Sequence, residues 1–190
     1  EATLDCGQTF SFKRNDDRSF SGYLSGVPVR WVHADGLLRG VCAPGRLRPE
    51  AVRDYFDLGF DLGPVYRLLE ADDCLRPSLK VYRGLRLLRQ DPWEATACFI
   101  LSSNNNIKRI QHMWRRVAER FTGEGRFPSA AQLAESSEAE LRGLGLGYRA
   151  PFLYRSARRI AENPEWFARV GQEPDYALAK ETLQELDGVG

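Results

Sequence analysis

The chain has 190 residues, 43% of them hydrophobic and 28% charged. That is enough apolar material for one large domain or two small ones, and the composition argues against disorder. Apolar stretches fall far short of the ~20 residues that cross a bilayer, and no signal peptide is visible after Glu1. The formal net charge of +1 does not by itself announce a nucleic-acid binder.

The first part of the chain reads as strands. Phe20–Leu24, Val29–His33 and Leu37–Cys42 are short β-rich runs separated by Gly, Pro and Asp-Gly punctuation, as in an antiparallel meander. Pro49–Leu58 reads as a helix with Val52, Tyr55 and Phe56 on one face, and a second short helix is expected over Pro64–Ala71. Ahead of these, Gly7 in Cys6-Gly7-Gln8-Thr9-Phe10 marks a bulge or a place where something approaches the backbone closely.

After about residue 84 the character becomes helical. Asp91-Pro92-Trp93-Glu94 is a helix start: Asp can cap, Pro suits the first helical position, and Glu three residues on completes a capping box. The apolar run Ala95–Leu101 follows, then the polar Ser102-Ser103-Asn104-Asn105-Asn106. That run is either a connecting loop or a loop that inserts an Asn into a duplex from which a base has been flipped. A further helix carries Ile107, Ile110, Trp114, Val117 and Phe121 at spacings of three and four. Ser137-x-x-Glu140 is another capping box, and its helix ends before Gly143-Leu144-Gly145-Leu146-Gly147-Tyr148-Arg149. No strand precedes that Gly-rich segment and no Lys-Ser/Thr follows it, which excludes a phosphate-cradling P-loop; a helix–helix turn is expected. Ala150–Ala161 and Asp175–Leu186 read as two more helices, and the second leads into Gly188-Val189-Gly190. Those glycines are either a helix C-cap or the first half of a hairpin whose backbone amides hold a DNA phosphate.

Cys6, Cys42, Cys74 and Cys98 are widely spaced, and His33 and His112 are the sole histidines. This is a poor ligand set for zinc or an iron–sulfur cluster, so no metal and no cofactor is expected, and the cysteines are expected as free thiols in a reducing compartment. Residues 106–160 hold eleven Lys/Arg against five Asp/Glu, whereas residues 161–190 hold two against seven. The basic stretch either faces phosphates or forms a solvated helix face. The fold class is α+β: an antiparallel sheet with flanking helices over residues 1–84, then a helical domain over 85–190.

Several of these segments, taken together and in order, resemble one family. Cys6-Gly7-Gln8-Thr9-Phe10-Ser11-Phe12 is similar to its Gly-Gln-Ser-Phe segment. Gly84–Pro92, Ser102–Ile107, Gly143–Arg149 and Leu186–Gly190 match further runs at similar spacing. The family is the eukaryotic-type 8-oxoguanine DNA glycosylases of the helix-hairpin-helix superfamily, and the resemblance covers nearly the whole chain. It implies excision of 8-oxoguanine opposite cytosine from double-stranded DNA by base flipping, with β-lyase nicking at the abasic site, in a monomer that works with DNA inside the cell and makes no membrane contact. By that resemblance Gly7 offers its carbonyl to the N7–H that only the oxidised base carries. Asn104 fills the vacated space, Arg109 and Arg149 read the orphaned cytosine, and Tyr148 wedges beside it. Gly188 and Gly190 grip a phosphate.

The family's nucleophilic Lys comes two residues after the second hairpin glycine, and its catalytic Asp later still. Lys13, Lys80, Lys108 and Lys180 match neither position, so no catalytic residue is expected within residues 1–190, which are read as an incomplete enzyme. Ala177, Leu178, Leu183 and Leu186 are expected to be partly uncovered for the same reason. Asp187 stands where the family usually has Pro. Two other functions share parts of this pattern: a non-catalytic helix-hairpin-helix DNA-binding module, and an alkyl-base glycosylase. The triple-Asn run and the setting of Arg149 favour the oxidised-base enzyme over the latter.

Overall fold

The computed structural model describes residues 2–35, 37–123 and 125–190. Their contacts divide the chain into two compact units, Glu1–Gln90 and Asp91–Gly190.

The first unit is built on a four-stranded antiparallel meander in sequential order, β1 (Phe12–Arg14), β2 (Phe20–Leu24), β3 (Val27–Ala34) and β4 (Leu37–Val41). The sequence marks β2 at its observed ends. It misses β1, which is only three residues long and pairs Phe12 with Gly22. Alternation sets the faces: Val29 and Trp31 of β3 are buried while Pro28 and Arg30 between and beside them are exposed. The inward residues Phe12, Phe20, Leu24, Val29 and Trp31 form one cluster with Leu4 and Phe56. Leu4 comes from the helical turn α1 (Ala2–Asp5), and Phe56 caps α2 (Pro49–Tyr55) with its ring edge-on to Trp31 at 5.2 Å. Each such apolar side chain, once buried, contributes roughly 1.5–3 kcal/mol. All of β4 is exposed, as suits the edge of the sheet.

Helices α3 (Gly63–Glu70) and α4 (Arg76–Tyr82) follow. Residues 85–90, which the sequence assigns to the helical domain, form an extended segment belonging to the first unit. The cause is Gln8. Its side-chain amide donates to the Arg86 carbonyl at 2.9 Å and accepts from the Leu88 amide at 3.0 Å, and Gln90 donates back to the Gln8 carbonyl at 2.6 Å.

The second unit is helical: α5 (Pro92–Ser102), α6 (Ile107–Phe121), α7 (Ala130–Ala134), α8 (Glu138–Leu141), α9 (Ala150–Glu162), α10 (Trp166–Gln172) and α11 (Tyr176–Gln184). No strand occurs among its described residues, and no described helix is long and apolar enough to cross a membrane. Asp91 caps α5 by accepting from the Glu94 amide at 2.9 Å. The expected box is only half made, because the Glu94 carboxylate accepts instead from Trp114 Nε1 of α6 at 3.0 Å. Ser137 likewise accepts from the Glu140 amide, while the Glu140 side chain pairs with Arg120. A complete box does occur at Ser129 and Gln132 of α7, a helix that the sequence reading passes over.

The core of this unit joins Ala97, Ile100 and Leu101 of α5 to Ile110, Met113, Trp114, Val117 and Ala118 of α6, with Leu133, Leu141, Leu153 and Ala157 from the helices that follow. Ile107, expected on the buried face, is exposed because it opens α6 beside the preceding loop. Leu186, expected to be uncovered, is 2% exposed, whereas Leu178 is 51% exposed.

Candidate functional site

The polar run between α5 and α6 is a tight connection in which two of the three asparagines have structural tasks. Asn105 Nδ2 donates to the Leu101 carbonyl at 2.8 Å and so closes the end of α5. Asn106 caps α6 by accepting from the Arg109 amide at 3.0 Å. Asn104 stands between them at φ +44 with an exposed side chain that has no hydrogen-bond partner among the described residues. A left-handed conformation is one that Asn tolerates better than most residues.

The Gly-rich segment makes a kinked π-helical turn over Arg142–Leu146 and a 3₁₀ turn over Gly147–Arg149, leading into α9. Arg116 of α6 supports it through a bond to the Gly143 carbonyl at 3.2 Å. The turn delivers Tyr148 and Arg149 to the asparagine loop. Tyr148 Oη donates to the Ser103 carbonyl at 2.9 Å, and Arg149 Nε donates to the same oxygen at 2.9 Å. Arg149 Nη2 also bonds to the Ser103 carbonyl and donates to that of Asn104 at 3.0 Å.

The guanidinium of Arg149 lies 4.4 Å over the Tyr148 ring, and the residue is only 2% exposed. A buried charge of this kind must have its hydrogen bonds met, and the loop carbonyls meet those of one edge. Tyr148 keeps 46% of its surface. Arg109, on the first turn of α6, is exposed, and its side chain makes no ion pair or hydrogen bond with a described residue. Asn104, Tyr148 and Arg149 are thus gathered around the Ser103–Asn104 backbone, with Arg109 on the helix that this loop opens. Sequence reasoning missed Ser103 itself, whose contribution is a main-chain oxygen and leaves no mark on residue type.

At the end of the second unit, α11 is capped by Asp175 and runs into a turn at Asp187–Gly190. Val189 donates to the Leu186 carbonyl at 3.1 Å. Gly188 has φ +83, and a Cβ there would lie 3.1 Å from Phe152 of α9. Both the conformation and the space therefore demand glycine. The amides of Gly188 and Gly190 make no hydrogen bond to a described residue, and both glycines are exposed. Asp187, whose carboxylate the sequence places beside this turn, lies 3.7 Å from Arg155 of α9.

In the first unit Gly7 has φ +84. Its neighbour Gln8, fixed by the bonds to Arg86, Leu88 and Gln90, holds that backbone in place. The remaining chemistry is sparse. Among the described residues no group of three or more His, Cys, Asp or Glu could hold a metal ion, and the four cysteines are free. Burial pushes the Cys98 thiol well up, with the nearby Glu94 adding to the effect. Burial also pushes the Glu94 carboxyl up to about 7, reinforced by Asp91 and opposed by the Trp114 hydrogen bond. Lys13, Lys80, Lys108 and Lys180 are all exposed.

Residues 1–96 match the family described as 8-oxoguanine DNA glycosylase, N-terminal domain, and residues 97–186 match the HhH-GPD superfamily of base excision DNA repair proteins. The chain belongs to the 8-oxoguanine DNA glycosylase family. A probable N-glycosylase/DNA lyase of Methanothermobacter thermautotrophicus is 34% identical over 201 residues, covering 88% of this chain and 63% of the relative. The N-glycosylase/DNA lyase OGG1 of Arabidopsis thaliana is 30% identical over 207 residues, covering 99% of this chain and 56% of the relative. The chain thus spans little more than half the length of these glycosylases. The structure of MBOgg1 with a low-affinity DNA ligand superposes with a TM-score of 0.90 at 26% identity, covering 99% of this chain and 68% of that one. The Clostridium acetobutylicum 8-oxoguanine glycosylase/lyase bound to duplex DNA with cytosine opposite 8-oxoguanine gives a TM-score of 0.88 at 26% identity, covering 98% and 67%. The α+β class, with its antiparallel sheet and helix-hairpin-helix domain, is that of this family.

Proposed function

We propose that the chain recognises and holds double-stranded DNA containing 8-oxoguanine paired with cytosine, as part of an enzyme that flips the oxidised base out, excises it and nicks the abasic site by β-elimination. The observation that carries this reading is the cluster at Ser103: Tyr148 and buried Arg149 both donate to its carbonyl, and Arg149 donates also to the carbonyl of Asn104, whose side chain is exposed. A flipped base leaves a hole and an unpaired partner, and both must be filled at once. Asn104 supplies a small polar group for the hole, and Tyr148 a ring that can wedge beside it. Arg149 and Arg109 supply donors for the cytosine edge. Gly7 offers its carbonyl to the N7–H of the oxidised base, and guanine, with a lone pair there, is refused by roughly 1–3 kcal/mol. Gly188 and Gly190 take a phosphate on their amides.

The lyase step needs an amine held against the sugar C1′ and kept unprotonated by burial or neighbouring charge. Exposure of all four lysines argues against each of them in that role. In this reading residues 1–190 supply recognition, and the nucleophile comes from outside them. The test incubates residues 1–190 with an 8-oxoguanine duplex under borohydride and measures duplex affinity in parallel. Binding without a trapped adduct is expected. A covalent adduct would make one of the four lysines the nucleophile and overturn the assignment, and absence of duplex binding would overturn the reading altogether.

A further inference from the structure

One stripe of α9 runs from the base-reading loop to the terminal turn. Tyr148, just before the helix, meets Phe152 edge-on at 6.4 Å. Phe152 in turn lies against Gly188, where a Cβ would come within 3.1 Å of it. One turn further on, Ser156 is 1% exposed. A serine inside a helix usually bonds the carbonyl four residues back. Ser156 instead donates across to the carbonyl of Asp187 at 3.1 Å, the residue that enters the turn. Arg159, on the same stripe, donates to the Glu185 carbonyl at 3.1 Å and pairs with its carboxylate. Arg155 flanks the stripe and reaches both Glu138 and Asp187. Two of these contacts, from Ser156 and Arg159, end on backbone carbonyls of the segment that leads into the turn, and Phe152 lies against Gly188 itself. Of the polar contacts, that of Ser156 comes from a buried side chain, and exposed ion pairs such as those of Arg155 hold little.

We propose that Ser156 is the positioning residue for the phosphate-holding turn: its hydroxyl fixes the Asp187 carbonyl, and with it the backbone amides of Gly188 and Gly190, at a set distance from Tyr148 and Arg149. Phe152, one turn back on the same stripe, lies against Gly188. The helix thereby acts as a ruler between the part that reads the orphaned base and the part that grips the strand. The family's usual Pro before the glycines would stiffen this turn through its ring; with Asp187 in that place, the α9 contacts supply the stiffness. The inference rests on the reading of Asp187–Gly190 as a phosphate-holding hairpin.

The test compares wild type, Ser156→Ala and Gly188→Ala. Affinity for a fluorescein-labelled duplex is read by anisotropy across a salt series, together with amide hydrogen exchange. Alanine suits the helix interior, so α9 stays folded. Loss of one buried hydrogen bond that holds the turn should weaken duplex binding roughly three- to tenfold. The loss should be equal for lesion-containing and undamaged duplexes, because phosphate contacts carry no sequence information. Exchange at Val189 should quicken while α5 and α6 stay protected. Ser156→Ala binding as tightly as wild type while Gly188→Ala binds weakly would overturn the positioning role and leave the hairpin reading standing. Loss of protection throughout α5 and α6 in Ser156→Ala would also overturn it, since the serine would then be serving the fold as a whole. Unchanged binding by Gly188→Ala would remove the hairpin reading, and the inference with it.

Discussion

The carboxyl of Glu94 offers the most quantitative handle on this fold. It sits on the first turn of α5, enclosed at its tip, accepting from Trp114 Nε1 at 3.0 Å, and burial lifts its pKa from 4.5 to about 7. A carboxyl whose folded pKa lies above its unfolded one binds more protons when folded. The stability it confers is present below about pH 4.5 and is lost as pH rises towards 7. The shift corresponds to a loss of up to about 3 kcal/mol across that window. Glu94→Gln keeps the acceptor for Trp114 and the shape of the neutral acid, but it cannot ionise. It gives up a negative charge near the helix N-terminus, worth about 0.3–1 kcal/mol. At about pH 8 the variant should therefore be more stable than wild type by roughly 2 kcal/mol, and near pH 4.5 the two should be within about 0.5 kcal/mol. Urea unfolding of both proteins across this range isolates the effect, because every other titrating group is common to the pair. A difference that does not change with pH would refute the reasoning, as would a variant that is less stable at every pH.

Three further outcomes follow from the site. Arg149→Ala should cost about 1–3 kcal/mol of unfolding free energy, since it strips the Asn104 carbonyl of its donor and leaves the Ser103 carbonyl only that of Tyr148, and it should also relax the preference for cytosine; stability unchanged in urea would contradict the burial of that side chain. Arg109→Ala should leave stability within about 0.5 kcal/mol and still lose roughly 1–3 kcal/mol of discrimination at the opposite base; an equal loss of affinity for all four opposing bases would assign Arg109 to the phosphates. Gly7→Ala should narrow the affinity gap between 8-oxoguanine and guanine duplexes, because φ +84 penalises a side chain and the added methyl crowds the base; an undiminished gap would remove Gly7 from the lesion pocket.

Much of the fold was legible because the strongest elements are also the most patterned. β2, α5, α6 and α9 carry alternation, a Pro at the first turn, or a long apolar face, and the sequence locates each of them. Apart from α7, whose Ser129-x-x-Gln132 box was there to be read, what it misses has little pattern to find. Helix α4 has Leu75 at its N-cap, with no side-chain cap bond, and buries only Leu79, and α10 buries only Trp166. The contacts place residues 85–90 with the first unit, where Gln8, some eighty positions away in the chain, bonds to the backbone of Arg86 and Leu88, a long-range tie that the local sequence does not show. Glu94 follows the same rule: its spacing from Asp91 fits a capping box, but a tryptophan on the next helix offers a better-enclosed donor. In the site, Asn104, Tyr148 and Arg149 were legible through their resemblance to family motifs. Ser103 and Ser156 were not, since one acts through a carbonyl and the other is a serine in a helix like any other until the structure shows what it reaches.

The two arginines assigned to the same cytosine are built in opposite ways, and the difference bears on how recognition is divided. Arg149 has given up its rotamer freedom on folding: Nε and Nη2 are spent on loop carbonyls and the plane rests on Tyr148, so Nη1 is the nitrogen left without a partner among the described residues. Whatever it donates to a base costs almost no further ordering, and its geometry is set before DNA arrives. Arg109 is exposed and must surrender on the order of 2 kcal/mol of side-chain entropy to make the same kind of contact. A fixed donor penalises a wrong partner because it cannot adjust to it; a mobile one can turn aside to a phosphate. Strict choice of the opposite base should therefore reside mainly in Arg149, and its rigidity comes from the backbone of the very loop that presents Asn104. On the proposed reading, filling the hole and reading the orphaned base would be one mechanical unit, because the Asn104 backbone cannot shift without disturbing the carbonyls that hold Arg149.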